Sequence, residues 1–476
     1  MNFLYTALLY LLTPAVLVRL LWRARHVPAY AQRWGERFGR YPTLDLHDTI
    51  WIHAVSVGEV VAAVPLVRAL RSCYPQCPIL ITTMTPTGSA QVRRLFGADV
   101  QHVYVPYDLP HAVKKFLRAA RPRLALIMET ELWPNLFRAC EARSIPLIVA
   151  NARLSARSAA GYRRIGPLTR ATLRAVSVIA AQSSEDAQRF LELLDGVPMG
   201  SDSFVPADVD QSAVLEVSAA VTEMRSDSFA YRPPDDQQLM GQRSLTPLIS
   251  PSIEVTGSIK FDMQLPPELH EQGQALRRAL GAQRPVWIAA STHEGEEPLL
   301  LDAHLAVRAL LPDALLMLVP RHPERFARVR TLCEQRGLTV VTRSSQLSCA
   351  ADTAVFLGDS MGELPLFYAA ADLAFIGGSL IQHGGHNPLE AAALAVPLLF
   401  GPHMFNFAAI SRLLLSEHAA EQVTDVASLG NVVAALLRDA ARRHAMGERA
   451  QHLVEANRGA LERLLQIVAR YLDGAA

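Results

Sequence analysis

At 476 residues, half of them hydrophobic, the chain is too long for one ordinary core, and two domains of similar size are expected. Its 46 lysines and arginines against 45 aspartates and glutamates leave a net charge of +1, which removes the usual electrostatic case for a nucleic-acid partner. Five cysteines, Cys73, Cys77, Cys140, Cys333 and Cys349, form no C-x-x-C pair and no even framework; this argues against a disulfide scaffold or a zinc site and for a reducing cytosol.

Residues Phe3 to Val18 are uncharged and almost wholly apolar. A helix of that length reaches about 24 Å against a hydrocarbon core of about 30 Å, so it spans only if Arg19 snorkels and Trp22 takes the interface. Arg19, Arg23, Arg25, Arg33, Arg37 and Arg40 follow against Glu36 alone. By the positive-inside rule this flank keeps the body of the protein in the cytosol, and it suits anionic lipid headgroups. With no small-residue cleavage site beside it, residues 1–24 are expected to be an uncleaved anchor. A buried amphipathic helix packed on the body is the other reading.

From Ile50 onward, apolar runs alternate with helix-period stretches. Strands are expected at Trp51 to Val55, Ile79 to Thr83, Val103 to Val105, Leu124 to Met128, Leu147 to Ala150 and Val176 to Ala181. Continuous apolar runs between helices are the mark of a parallel sheet covered on both faces, so residues 25–194 are expected to form a Rossmann-like domain. Its first strand runs into Ser56-Val-Gly-Glu59, which sets a carboxylate at the carboxyl end of a strand, where open α/β sheets bind ligands. At a helix start the dipole is expected to lower the pKa of Glu59 and keep it ionised, as a base requires; a plain first-turn glutamate has the same spacing. Glu129 and Glu131 follow another strand, two residues apart. If strand geometry continues they face opposite ways, and one of them reaches the cleft. Trp133-Pro134 reads as a helix start.

Residues 195–252 have no period and are rich in Ser, Asp, Pro and Gln, and are expected to be a flexible loop. Asp208-Val-Asp210 lies inside it, away from any strand end, so its D-x-D form is discounted as a metal site. Residues 253–476 repeat the alternation, with strands expected at Val286 to Ala290, Leu315 to Val319, Leu338 to Val341, Ala354 to Leu357, Leu373 to Ile376 and Val396 to Leu399. Pro320-Arg321 and Met361-Gly362-Glu363 again stand at strand ends, the first with a guanidinium suited to phosphate or carboxylate. Gly377-Gly378 and Gly384-Gly385 precede Asn387-Pro388-Leu389-Glu390. A capping box explains the last four; the glycines suggest backbone approaching a phosphate at a helix N-terminus, with Glu390 on ribose hydroxyls. His53, His293, His322, His383 and His386 lack metal-ligand spacing, and no phosphate-binding G-x-x-x-x-G-K-[ST] loop or G-x-S-x-G elbow appears. The closing stretch from Gly430 to Tyr471 is helical in pattern, and its last part is free to pack back across the first domain.

Taken together, S-V-G-E at Ser56 to Glu59, T-T-M-T-P-T-G at Thr82 to Gly88, M-E-T-E-L-W-P-N at Met128 to Asn135, N-A-R-L-S at Asn151 to Ser155, T-G-S-I-K-F-D at Thr256 to Asp262, R-H-P-E-R-F at Arg321 to Phe326 and G-G-H-N-P-L-E at Gly384 to Glu390 closely resemble the 3-deoxy-D-manno-octulosonic acid (Kdo) transferases of Gram-negative bacteria. The resemblance implies a GT-B glycosyltransferase, two Rossmann-like domains about a cleft, anchored at the cytoplasmic face of the inner membrane. It implies CMP-Kdo as donor, lipid IVA as acceptor, and no metal or other cofactor. Carried over by motif, Glu59 is the general base, Glu129 and Lys260 stabilise the transition state, and Pro320, Arg321, Met361, Gly362, Glu363, Asn387, Pro388, Leu389 and Glu390 form the CMP site. Relatives have a much shorter link where residues 195–252 stand. Two rivals remain: another GT-B sugar-nucleotide enzyme, such as a UDP-N-acetylglucosamine epimerase or a lipid A disaccharide synthase, and an inactive membrane scaffold, which has no need of the three catalytic residues together.

Overall fold

Short runs such as Ile50-Trp-Ile and Leu315-Leu-Met-Leu-Val are apolar on both faces, so each is stable only between two layers of helices. The computed structural model describes residues 2–41, 44–196 and 251–474. Its first sheet comprises β1 (Thr49–His53), β2 (Ile79–Thr83), β3 (Gln101–Tyr104), β4 (Pro122–Met128), β5 (Leu147–Ala152), β6 (Val178–Ala181) and β7 (Ser252–Val255), in the order β3-β2-β1-β4-β5-β6-β7. The second comprises β8 (Val286–Thr292), β9 (Leu315–Pro320), β10 (Val340–Thr342), β11 (Val355–Leu357), β12 (Leu373–Ile376), β13 (Leu398–Phe400) and β14 (Ala420–Gln422), in the order β10-β11-β9-β8-β12-β13-β14. Every pairing is parallel. These are the two parallel-sheet domains of the GT-B class.

Each sheet buries a tryptophan in a central strand, and each indole N–H finds the partner that burial demands. Trp51 donates to Thr82 Oγ1 at 2.9 Å, and Trp287 donates to His304 Nδ1 at 3.1 Å. His304 is wholly buried, and burial pushes its pKa down to about 3, so it stays neutral and serves as the acceptor.

Two strands and one boundary differ from the sequence expectation. β7 and β14 were not expected: Ser252-Ile-Glu-Val and Ala420-Glu-Gln are edge strands, half polar, without the apolar run that marks an interior strand. β7 pairs with β6, so residues 252–255 complete the first sheet, and the chain crosses to the second domain only after them. The expected boundary at 253 is therefore too early. The expected loop at 195–252 and its Asp208-Val-Asp210 fall, but for the edges, outside the described residues. The apolar N-terminal helix runs Asn2–His26, longer than the Phe3 to Val18 core implied, and at 25 residues reaches about 37 Å. Among the described residues it is the one helix long and apolar enough to cross a membrane.

The closing helix, Ala460–Leu472, packs Leu464, Ile467, Val468 and Leu472 into the core of the first domain. It is pinned at its start by Asp262, whose carboxylate accepts from Gly459 N at 2.6 Å and Leu461 N at 2.7 Å. Charged acceptors at a helix N-terminus stabilise it. Asp262→Ala is expected to destabilise the chain by about 1–2 kcal/mol, seen as a lower midpoint in thermal unfolding.

Candidate active site

Sheets of this kind gather loops at the carboxyl ends of their strands. In the first domain, β1 ends at His53 and the helix Val57–Ala62 starts at once, capped by Ser56. Ser56 Oγ donates to Glu59 Oε1 at 2.8 Å, and Val55 N donates to Glu59 Oε2 at 2.8 Å. The carboxylate is thereby held back against the turn, only 9% exposed. Its pKa is raised to about 7, first by burial, while the Ser56 and Val55 hydrogen bonds pull it down and the charges of Glu129 and Glu131 push it up. The expected lowering by the helix dipole is thus overturned. A helix of six residues offers little dipole, and loss of water outweighs it. The result suits a base better than the expectation did, since a group poised near 7 accepts a proton in the transition state and is half free of it beforehand.

A pH dependence follows. The raised pKa means that Glu59 is largely protonated, and unable to act as a base, below pH 7. A base-dependent rate is expected to fall about tenfold per unit as pH drops from about 6 to 5 and to level off above 8, in a profile of single-turnover rate against pH.

Glu129 breaks the strand alternation that sets it and Glu131 on opposite faces. Its φ of 56° puts the backbone in the left-handed region directly after β4, so both carboxylates lie near enough to Glu59 to raise its pKa. Glu129 Oε1 accepts from Lys260 Nζ at 3.1 Å. Lys260 stands on the short turn Ile259–Phe261 just past β7, and that turn is held by Ile259 N donating to Asn151 Oδ1 at 3.2 Å. Asn151 is itself left-handed, with φ 54°, and wholly buried. Across the gap, Lys260 Nζ lies 6.0 Å from the ring of Phe407, which belongs to the second domain. Glu59, Glu129, Glu131 and Lys260 therefore share one face, with Lys260 reaching between the domains.

On the second domain, Pro320 closes β9, and Arg321 follows with an exposed side chain and its N–H bonded to Thr292 O at 3.0 Å. Its guanidinium lies close enough to Glu390 to oppose the upward push that burial gives that carboxyl. The helix after the glycines is Leu389–Ala393, one residue later than expected; Pro388 is the cap position and Asn387 Oδ1 accepts from Leu389 N at 3.2 Å. The expected capping box is not formed. With only five residues this helix has a small dipole. Gly362 has φ 88°, and Glu363 stands at the N-cap position of the helix Leu364–Ala369 without a capping side-chain hydrogen bond. Its carboxylate is bound by Arg343, with the guanidinium at 2.8 Å, which holds its pKa below the usual range. That helix lies beside Glu390 through Tyr368. Arg321 and Asn387–Glu390 thus come together, while Glu363 turns to Arg343.

The glycine pairs serve packing more than ligand approach. A Cβ on Gly377 would meet the Ala290 and Ser291 carbonyl oxygens at 2.6 and 2.7 Å, and one on Gly385 would strike Met404. The N–H groups of Gly378, Ser379 and Leu380 donate to the wholly buried carboxylate of Glu296 at 2.7, 3.1 and 3.1 Å. Glu296 was not singled out from sequence, nor was the convergence of His293, His322, His383 and His386. His293 Nε2 lies 2.7 Å from His386 Nε2, and the His322 and His383 rings stand 5.5 and 3.7 Å from that of His293. Burial takes His293 to about 4 and His386 to about 3, so the pair is neutral at pH 7. A cavity of about 420 Å³ opens beside them, lined also by Glu294, Glu324, Arg325 and Arg328. The usable signal was Ser291-Thr-His-Glu-Gly-Glu-Glu297 after β8, a strand end like the others. Among the described residues no group of three or more His, Cys, Asp or Glu side chains is arranged to hold a metal ion.

Comparison with known proteins identifies the family. Residues 32–199 match the family model described as 3-deoxy-D-manno-octulosonic-acid transferase (kdotransferase). The chain is 39% identical to the 3-deoxy-D-manno-octulosonic acid transferase of Haemophilus influenzae over 475 residues, covering 99% of each. It is 33% identical to that of Bordetella pertussis, covering 98% of this chain and 99% of the relative. The solved UDP-GlcNAc 2-epimerase of Neisseria meningitidis is similar in fold alone, with a TM-score of 0.51 at 13% identity over 88% of this chain and all of that one. The chain belongs to the 3-deoxy-D-manno-octulosonic acid transferases, a family of glycosyltransferases.

Proposed function

We propose that the chain transfers Kdo from CMP-Kdo to lipid IVA at the cytoplasmic face of the inner membrane, with inversion and without a metal ion. The observation that carries this reading is Glu59: a buried carboxylate with a pKa near 7, at a strand end, facing the Glu129–Lys260 pair. Glu59 takes the proton of the acceptor hydroxyl as its oxygen bonds to the anomeric carbon of Kdo; the bond from that carbon to the CMP phosphate breaks, and its electrons leave with CMP. Lys260 meets the negative charge growing on the phosphate or already on the Kdo carboxylate, and Glu129 both orients Lys260 and favours the oxocarbenium-like carbon. Arg321 and residues Met361–Glu363 and Asn387–Glu390 hold CMP. The apolar helix Asn2–His26 and the arginines after it place the body at an anionic membrane surface.

The rival readings with uridine nucleotides are separated by ligand-dependent stability. CMP at a hundred times its dissociation constant adds about 2.7 kcal/mol to the folded chain. Thermal unfolding is expected to shift upward with CMP and not with UMP or UDP; a larger shift with a uridine nucleotide sinks the reading.

A further inference from the structure

The apolar helix Asn2–His26 is bonded to the first domain through its first turns, and the segment that follows it is bonded to the same domain. Early in the helix, Tyr5 Oη donates to Asp108 Oδ2 at 3.0 Å and Thr6 Oγ1 donates to Asn135 Oδ1 at 3.1 Å. Tyr10 Oη lies 2.8 Å from His111 Nδ1, its ring stacked on the imidazole. Asp108 is no loose surface group: it also accepts from Asn135 N and Leu136 N, and so caps the helix Pro134–Glu141 that follows the Glu129 loop. Beyond the far end, Arg33 binds His102 O and Glu36 accepts from Tyr104 N, on β3 of the same domain.

The faces of the helix agree with those bonds. Tyr5, Leu9, Thr13, Val16 and Ala24 are half-buried along one face, and Leu20 on the same face is buried. Leu4, Leu8, Leu11, Val18 and Trp22 are exposed at the same helical spacing on the other side. Arg19, Arg23 and Arg25 are exposed along its second half. A helix that crosses the bilayer has its ends on opposite sides of about 30 Å of hydrocarbon. One whose first turns are bonded to the same water-facing domain as the segment after its last turn does not.

We propose that Asn2–His26 lies flat in the membrane surface, docked on the first domain by one face and sunk by its apolar stripe into a leaflet containing anionic lipid, whose headgroups take the arginines. The proposal rests on the membrane placement above and changes its geometry. Asp108 and Asn135 stand at the carboxyl edge of the first sheet, the edge that carries Glu59 and Glu129, so the docked helix sets the mouth of the cleft at the lipid surface.

The test is the full-length chain in native membranes carrying Tyr10→Cys and His111→Cys, treated with a short bis-maleimide, beside each single variant. Neither residue belongs to the catalytic or donor-binding machinery. A linked peptide pair formed only in the double variant is the expected result. Absence of the pair from membranes that retain the protein overturns the proposal, and labelling of Phe3→Cys by an impermeant maleimide from the far side of intact spheroplasts does so independently. A chain washed from vesicles of phosphatidylcholine and phosphatidylglycerol in low salt overturns the membrane half even if the pair forms. Kdo transfer by the same preparations in detergent is assayed separately, so failure of the transferase reading is seen apart from failure of the docked helix.

Discussion

Glu59→Gln lowers the turnover number by about 10²–10⁴, the range general-base catalysis commands, and leaves CMP protection of the chain unchanged. Glutamine keeps the shape and still accepts from Val55 N, so the turn after β1 and its Ser56 cap survive the change. It removes the proton uptake that the proposed role as base requires. The acid limb of the pH profile, set by a group with pKa about 7, disappears with it. A variant that transfers at the wild-type rate, or that loses CMP binding in step with activity, leaves Glu59 as no more than a helix-start glutamate.

Lys260→Met lowers the turnover number by about 10²–10³, as loss of one preorganised donor to developing negative charge does elsewhere. Methionine keeps the length of the side chain and its packing toward Phe407 but strips Glu129 of its 3.1 Å partner. Part of the loss therefore comes from a half-buried carboxylate left unpaired. Glu129→Gln in the same background removes that part, and because the two residues act as one unit the double variant is expected to be less damaged than the product of the two single losses. Independent, multiplying losses in single-turnover rates contradict the paired role.

The alternation of sheet strands and helices was legible in the sequence because interior parallel strands are unbroken apolar runs; Ile79–Thr83 and Leu373–Ile376 stand where the runs put them. Edge strands carry no such mark, which is why Ser252–Val255 and Ala420–Gln422 were missed. At the site, the position of Glu59 at a strand end was legible and its protonation was not, since burial depends on what the rest of the chain packs over the turn. The left-handed backbone at Glu129 put two carboxylates on one side where alternation had set them apart. The four histidines come from loops after β8, β9 and β12, and spacing rules written for a single helix do not see groups that only the sheet brings together.

Kdo transfer is measured most directly as the mass of lipid IVA after incubation with the detergent-purified chain and freshly generated CMP-Kdo. A gain of whole Kdo units is expected, lost in Glu59→Gln while CMP still protects that variant against unfolding. An unchanged lipid mass with the wild-type chain, under conditions where CMP binds it, would overturn Kdo transfer to lipid IVA.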